Sequence, residues 1–500
     1  MEAEAEATSP YDLVVIGSGP AGQKGAIAAA KLGKRVAVID RPSMIGGVSL
    51  HTGTIPSKTA REAALYLSGF RQRAFYGAAY TLKENIAVSD LRFRVEQVVA
   101  REGEVVQAQL QRNGIEIIPG LARFLDPHTV EIVADGQRVG DMSRKREPSR
   151  APGAGAGPGT PPRDPPVTDA DPLRVRGDRL LIACGTRPAH DPRIPVDGQR
   201  VHDTETMEQL EGIPDRLIVV GAGVIGLEYA CMAAALGRVV TVIDQRAALL
   251  DFVDREIVER LLVALRRNGV TFRLGEKVVS MEQEVPNPVV ILLESGKKVQ
   301  GDALLYAVGR QANTDQLALE AAGLTADARG RLAVNEQFQT AVPHIYAAGD
   351  VIGFPALAAT SMEQGRLAAR HMFGAAALSA PALLPYGIYT IPEISMVGPT
   401  EEQLTAAHVP YEVGVASYEE VARGQIVGDV SGLLKLLFDP ESLRLLGVHA
   451  IGESATEIIH IGQAVLALGG TVEYFRDAVF NYPALAEAYK VAALNGLNKL

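Results

Sequence analysis

Tryptophan is missing from this chain and aromatic residues make up only 5% of it, which excludes the stacked-aromatic platforms that read single-stranded nucleic acid. Cysteine is nearly missing too. Cys184 and Cys231 are too few for a secreted disulfide framework and lack metal-ligand spacing, so a reducing, cytoplasmic compartment is expected. No run of about 18 uninterrupted apolar residues occurs, and the start, MEAEAEATSP, is acidic where a secretory signal is basic. Neither a membrane span nor export is expected. Excess positive charge is absent as well: 49 Lys and Arg against 59 Asp and Glu leave −10, a field that opposes nucleic acid and anionic membranes as partners. Nine scattered histidines show no ligand spacing, and no metal site is expected.

What the chain does have is length, apolar content and a repeated grammar. Its 500 residues, 47% of them hydrophobic, correspond to roughly three domains at about 150 residues each. Tyr11–Ile16 is a short apolar, β-rich run; an Ala-rich helical stretch reaches Leu32; Arg35–Ile39 is a second apolar run that ends at Asp40. That is the order and length of a β-α-β crossover in a parallel sheet. The turn Gly17-Ser18-Gly19-Pro20-Ala21-Gly22 carries the spacing that brings a helix N-terminus to a pyrophosphate. Gly17 serves the tight turn, Gly19 the close backbone approach and Gly22 the packing of helix on strand. Asp40 stands where a carboxylate accepts from ribose hydroxyls.

The same unit returns at Arg216–Val220, Gly221-Ala222-Gly223-Val224-Ile225-Gly226 and Val239–Ile243 before Asp244, so two nucleotides are implied. Asp244 favours a free 2′-hydroxyl and hence NAD(H), whereas Arg246 either pairs with the 2′-phosphate of NADP(H) or is a solvated surface cation. Preference stays open. Between the two units, Met142–Asp171 is dense in Pro, Gly and charge and is expected to be a disordered surface loop. Strand-like runs at His128–Val133 and Arg179–Ala183 flank it, so it should lengthen a hairpin rather than separate domains. From Pro385 onward, strand runs such as Leu433–Phe438 and Leu445–Ala450 are followed by helices, which reads as a third, α+β domain.

Seven motifs stand in one order along the chain. They are Gly17–Gly22, Gly46-Gly47 with Ile55-Pro56-Ser57-Lys58, Ala183-Cys184-Gly185-Thr186-Arg187-Pro188, Gly221–Gly226, Val308-Gly309-Arg310, Ile345-Tyr346-Ala347-Ala348-Gly349-Asp350, and Tyr482-Pro483 with Glu487. In these the chain resembles the pyridine nucleotide-disulfide oxidoreductase family over nearly its whole length. The resemblance implies an α/β fold: two Rossmann-like nucleotide-binding domains plus a C-terminal α+β dimerisation domain, assembled as a homodimer or larger. It places an FAD-binding domain at 1–203 and 313–380, a nicotinamide nucleotide domain at 204–312 and the dimerisation domain at 381–500. It implies FAD contacts from Gly17, Gly19, Pro20, Ala21, Gly22, Asp40, Arg41, Gly47, Val48, Lys58, Gly185, Arg310, Gly349 and Asp350, with Asp350 on the ribityl chain. Gly221, Gly223, Ile225, Gly226, Glu228, Asp244, Arg246 and Gly309 would serve NAD(H) or NADP(H). Lys58, paired with Glu228, would approach the flavin near N5, and these two are the expected catalytic residues. The helix after Asp350, about Ala358–His371, would aim its N-terminus at the ring's pyrimidine edge.

Departures from the family pattern set the expected activity. Disulfide-reducing members carry two cysteines five apart before Ile-Pro-x-Lys, where this chain has Ser49 and Thr54. A hydroxyl cannot form a redox bridge. Cys184 and Cys231 fall in other motifs and are expected to be small buried hydrophobes. The family's acid–base histidine, which the partner subunit supplies, is Asn481 here, leaving Glu487 as an ordinary helix carboxylate. His51 reads as a loop imidazole, and Glu457 and His460 as core or dimer-contact residues. With no thiol relay, hydride that arrives from one nicotinamide nucleotide leaves to another, a ping-pong transhydrogenation through FAD. Within the family, the segments GTIPSK, GVIGLEYA, GIYTIPEIS, EIIHIGQA and NYPALAEAYKVAALNGLNKL resemble its transhydrogenating branch. A quinone or diaphorase-type reductase is the second reading, and an idle flavoprotein scaffold or sensor the third.

Overall fold

The computed structural model describes residues 10–77, 79–133, 173–207, 210, 212–282, 288–376 and 383–500. The loop expected at 142–171 lies outside them. Two compact units emerge: the described residues of Met1–Gly47, Val106–Gly185 and Ala312–Leu378 form one, and those of Val48–Val105, Thr186–Gln311 and Ser379–Leu500 the other.

The first unit is built on a sheet whose strands run in the order Glu116–Pro119, Val36–Asp40, Tyr11–Ile16, Arg174–Ile182, Thr129–Val133, Leu121–Asp126, with Ile345–Ala347 also paired to Arg174–Ile182. Tyr11–Ile16 is parallel to both its neighbours. Its residues Leu13–Ile16 read as a continuous apolar run because each face is covered. Leu13 and Val15 join Val38 and Leu181 in one cluster, while Val14 and Ile16 join Ile39 and Ile182 in the other, the period-two alternation of a strand. On one face lie the helices Pro20–Lys31 and Ala358–Met372. Their backbones meet directly: a Cβ on Gly365 would overlap the Ala21 carbonyl oxygen, and one on Gly25 would lie 2.5 Å from Leu181 Cδ2. Thr129–Val133 pairs antiparallel with Arg174–Ile182, Glu131 opposite Arg174, so the two strands form the expected hairpin. The second strand starts at Arg174 rather than Arg179. Its first residues alternate exposed Arg174 and Arg176 with buried Val175, a half-covered edge that hides its strand character among charges.

In the second unit, five parallel strands run in the order Val270–Leu274, Val239–Asp244, Arg216–Val220, Ala303–Tyr306, Val201–His202. The helix Val224–Ala235 is buried around most of its circumference, whereas Arg255–Arg267 buries one stripe, Ile257, Val258, Leu261 and Leu265. A separate antiparallel sheet orders Tyr386–Ile388, Ile394–Val397, Leu445–Ile451, Leu433–Phe438 and Glu412–Ser417. Leu433–Phe438 is buried along its whole length, Lys435 included.

Lys435 is fully buried and is held by carboxylates. Its Nζ lies 2.9 Å from Asp254 Oδ1 and 3.1 Å from Glu256 Oε2, and pairs with Glu401 as well. Burial draws its pKa down, but the Glu401 and Asp254 hydrogen bonds outweigh this and hold it above the ordinary lysine value. Asp254 is also the N-cap of Arg255–Arg267, accepting from Glu256 N. The ammonium thus ties that helix to the antiparallel sheet, and it stands among the three carboxylates where a cation would otherwise sit. Lys435→Ala leaves Asp254 buried without its partner and is expected to cost about 3–5 kcal/mol. An unfolding midpoint in urea within error of the native protein's would contradict that role.

Candidate active site

The first glycine turn belongs to the first unit. Gly17 turns at φ +100°, where a Cβ would overlap the Ala183 carbonyl oxygen, and a Cβ on Gly22 would overlap the carbonyl of Gly17. Gly47, at φ +70°, faces Gly19 so closely that a Cβ would sit 2.7 Å from its Cα. No side chain caps the helix beginning at Pro20, so its N-terminal amides and dipole are offered to an anion. Asp40 braces this cradle. Its Oδ2 accepts from Ser18 N and Ser18 Oγ, both at 2.6 Å, and Oδ1 from Arg41 N at 2.8 Å. Ser18 Oγ in turn accepts from Gly46 N at 2.9 Å. Burial pushes the Asp40 pKa above the usual carboxylate range, with Ser18 opposing. Gly349, at φ +85°, donates its N–H to Gln364 Oε1, and Asp350 accepts from Ser361 Oγ at 3.5 Å, beside the uncapped start of Ala358–Met372. Glycine backbone that no side chain could share, with Asp40 and Asp350 at its margins, fits the phosphates and hydroxyls of a dinucleotide.

The second turn repeats this construction in the second unit. A Cβ on Gly221 would overlap the Ala307 carbonyl and one on Gly226 that of Gly221, while Gly223 has open space around it. Asp244 Oδ2 accepts from Ala222 N at 2.7 Å, the counterpart of Asp40 and Ser18. Arg246 grips the same carboxylate, Nη2 to Oδ2 at 2.8 Å and Nε to Oδ1 at 3.0 Å. Burial alone would raise the Asp244 pKa, but the Arg246 bonds hold it below the usual range. Arg246 is therefore paired rather than simply solvated. Gly185 and Gly309 take φ of +64° and +141°. Arg310 donates to Thr186 Oγ1 and O, each at 2.7 Å, which pins the start of its segment to the Thr186–Pro188 strand.

Lys58 and Glu228, 170 residues apart, meet in the second unit. Lys58 is on the helix Thr54–Leu67 and Glu228 on Val224–Ala235, helices whose buried Leu65 and Leu227 belong to one hydrophobic core. Lys58 Nζ lies 2.6 Å from Glu228 Oε2, with the two side chains 26% and 8% exposed. The other oxygen, Oε1, accepts from Tyr389 N at 2.9 Å, and the Tyr389 ring centre lies 5.1 Å from Lys58 Nζ. The sequence reading missed Ser18 and Tyr389. Both act in large measure through main-chain N–H groups, which no residue pattern displays.

Where the family keeps cysteines, Ser49 lies in the short helix Val48–His51, and Thr54 is exposed as the first residue of Thr54–Leu67. Cys231 is buried as expected and donates to Glu228 O at 3.1 Å. Burial pushes its thiol up to about 12. Iodoacetamide at mildly alkaline pH should therefore leave Cys231 unmodified in the native protein and label it in urea; labelling of native Cys231 would contradict the assignment. Cys184 departs from expectation: it stands past the end of Arg174–Ile182 and is only half-buried. Glu457 and His460 also depart from the core reading, for both are exposed on Ala455–Ala467, with His460 Nδ1 at 2.8 Å from Gln463 Oε1. Asn481 is exposed, and Glu487 Oε2, at the start of Glu487–Leu497, has no hydrogen-bond partner among the described residues. Among those residues no helix is long and apolar enough to cross a membrane.

Comparison with known proteins agrees with this geometry. The soluble pyridine nucleotide transhydrogenase of Mycobacterium bovis (strain BCG / Pasteur 1173P2) is 51% identical over 490 residues, covering 98% of each chain. That of Erwinia tasmaniensis is 44% identical over 494 residues, again 98% of each. Among solved structures, the HOCl-induced flavoprotein disulfide reductase RclA of Escherichia coli superposes with a TM-score of 0.81 at 26% identity, over 97% of this chain and 99% of that one. LpdA of Mycobacterium tuberculosis does so at 0.83 and 25%, over 96% and 99%. The family model for pyridine nucleotide-disulphide oxidoreductases matches residues 11–365 and that for their dimerisation domain residues 384–493, so the chain belongs to the pyridine nucleotide-disulphide oxidoreductase family, flavin-dependent oxidoreductases.

Proposed function

We propose that this oxidoreductase is an FAD-dependent transhydrogenase that carries hydride between NADP(H) and NAD(H). The observation that carries the reading is a contrast: Lys58 and Glu228 are paired at 2.6 Å, while the positions of the family's redox disulfide hold Ser49 and Thr54. Relatives at 51% and 44% identity that bear the transhydrogenase name support it. FAD, when bound, supplies a ring nitrogen that takes a hydride and gives it up again. The residues of the chain hold and shield. Gly17, Gly19 and Gly22 admit the pyrophosphate of FAD, and Asp350 serves its ribityl chain. Gly221, Gly223 and Gly226 admit the nicotinamide nucleotide. With FAD bound, Lys58 would offer a cation to the negative charge of the reduced ring, and Glu228 fixes the lysine with Tyr389 N–H as its second anchor. Donor and acceptor nucleotides take turns at one site, because no thiol carries electrons away. The proposal includes an FAD domain at 1–203 and 313–380, a nicotinamide domain at 204–312, a homodimer formed through 381–500, and a cytoplasmic setting.

Arg246 is the residue that lets one site serve both nucleotides. With NAD(H), the ribose hydroxyls meet Asp244; with NADP(H), the guanidinium exchanges Asp244 for the 2′-phosphate. Arg246→Ala is expected to raise KM for NADPH about tenfold and leave that for NADH within about twofold. Equal changes in both would contradict this division of labour.

The test is a double-mixing experiment without oxygen. NADPH should bleach the yellow absorbance, and NAD added next should restore it with no thiol present. Failure of any nicotinamide nucleotide to restore it, with recovery by menadione alone, would overturn the proposal in favour of a quinone reductase.

A further inference from the structure

Lys58 is not the only cation that the helix Thr54–Leu67 sends toward the 389–393 loop. Arg61, one turn further on, is 6% exposed, and it too reaches that loop. Its Nη2 and Nε donate to Thr390 O at 2.9 and 3.2 Å, and Nη2 lies 3.7 Å from Glu393 Oε1. Nη1 is 2.5 Å from Glu62 Oε1. Glu393 is itself buried, and its other oxygen accepts from Thr456 N at 3.2 Å and Thr456 Oγ1 at 2.5 Å. Immediately before Thr390 in the chain, Tyr389 gives its N–H to Glu228 Oε1. Adjacent residues of the loop are thus held by two different charged side chains, the Tyr389 N–H by Glu228 and the Thr390 carbonyl by Arg61. The contacts close a ring: Lys58 to Glu228, Glu228 to Tyr389, Thr390 to Arg61, and Arg61 back to Lys58 along one helical turn.

We propose that Arg61 is a positioning residue for the Lys58–Glu228 pair, acting through the 389–393 loop. The inference rests on the hydride-transfer reading above. A buried guanidinium fixes the Thr390 carbonyl in place, and that peptide fixes the amide that orients Glu228. Without Arg61 the Thr390 carbonyl loses its donor and Glu393 Oε1 its nearby counter-charge, the loop shifts to resolvate them, and Glu228 loses its second anchor. Lys58 then keeps a partner whose carboxylate is free to rotate. The loss falls on alignment in the reacting complex rather than on the strength of nucleotide binding.

Native-state hydrogen exchange and anaerobic stopped-flow on holoenzyme, comparing Arg61→Met and Arg61→Lys with the native chain, test this. In Arg61→Met, amides of the 386–393 segment should exchange at least about tenfold faster while those of 433–438 stay within about twofold. The limiting rate of bleaching by NADPH should fall at least about tenfold with the nucleotide dissociation constant within about threefold. Arg61→Lys, with charge but no planar fork, should fall between the two in both readouts, and it decides the matter if the Met variant does not fold. Unchanged exchange in 386–393 would overturn the proposal, as would faster exchange with an unchanged limiting rate. If the native enzyme itself is not bleached by either reduced nucleotide, the hydride-transfer reading falls, and exchange alone still decides whether Arg61 sets the loop.

Discussion

Replacing Lys58 by Met is expected to slow the limiting rate of flavin bleaching by NADPH on the order of 10²-fold, the scale seen when one preorganised electrostatic donor is removed from a catalytic centre. The structural reason is the 2.6 Å pair, in which the counter-charge of Lys58 is Glu228, only 8% exposed. Removing the ammonium also leaves Glu228 Oε2 buried without a counter-charge. Breaking a fully buried pair costs about 3–5 kcal/mol, and because Lys58 is 26% exposed the stability loss should be smaller, about 1–3 kcal/mol. The two consequences separate. In Lys58→Met/Glu228→Gln no charge is left stranded, so the thermal midpoint should recover most of its loss while the bleaching rate stays low. A Lys58→Met enzyme that bleaches at the native rate would remove the pair from the mechanism.

The second large effect comes from the glycines. A Cβ on Gly22 or Gly226 would overlap a carbonyl oxygen of its own turn, Gly17 and Gly221 respectively, and no rotamer change can relieve a clash with backbone. Gly22→Ala should yield protein that does not retain FAD and is recovered colourless. Gly226→Ala should stay yellow, because its turn lies in the other unit, and need on the order of 10²-fold more NADPH to bleach, about 2.8 kcal/mol of lost binding. Gly33→Ala is the control: at φ +74° with nothing within 4 Å of the added carbon, it incurs only left-handed strain, about 1–2 kcal/mol. A yellow Gly22→Ala protein of native stability, or a Gly226→Ala protein with native affinity, would refute the assignment of the respective turn.

Sequence and structure contribute unequally to these expectations. Tyr11–Ile16 and Arg216–Val220 are legible because strands covered on both faces carry unbroken apolar stretches, Leu13–Ile16 and Leu217–Val220. The start of Arg174–Ile182 is not, because its exposed Arg174 and Arg176 look like loop. The glycine turns announce themselves by spacing. What the acid after each turn does is hidden: Asp40 and Asp244 hold the turn's own amides, Ser18 N and Ala222 N, and a main-chain donor leaves no mark in a residue pattern. Lys58 and Glu228 are named from sequence only through family resemblance, since nothing local joins residues 170 apart. Arg61 looks like an ordinary polar helix residue, and its burial depends on a loop 329 residues away. Lys435 does leave a trace, a lone lysine in the run Leu433–Phe438, and a buried ammonium inside an apolar strand requires carboxylates from elsewhere.

The central claim is that electrons leave by the nicotinamide route. The most direct measurement uses Cys184→Ser/Cys231→Ala, a chain with no sulfhydryl at all. Bleached anaerobically by one equivalent of NADPH and then mixed with NAD, it should regain its full yellow absorbance and form one equivalent of NADH at the native rate. A variant that bleaches but regains colour only when a disulfide substrate is supplied as electron acceptor would contradict the claim.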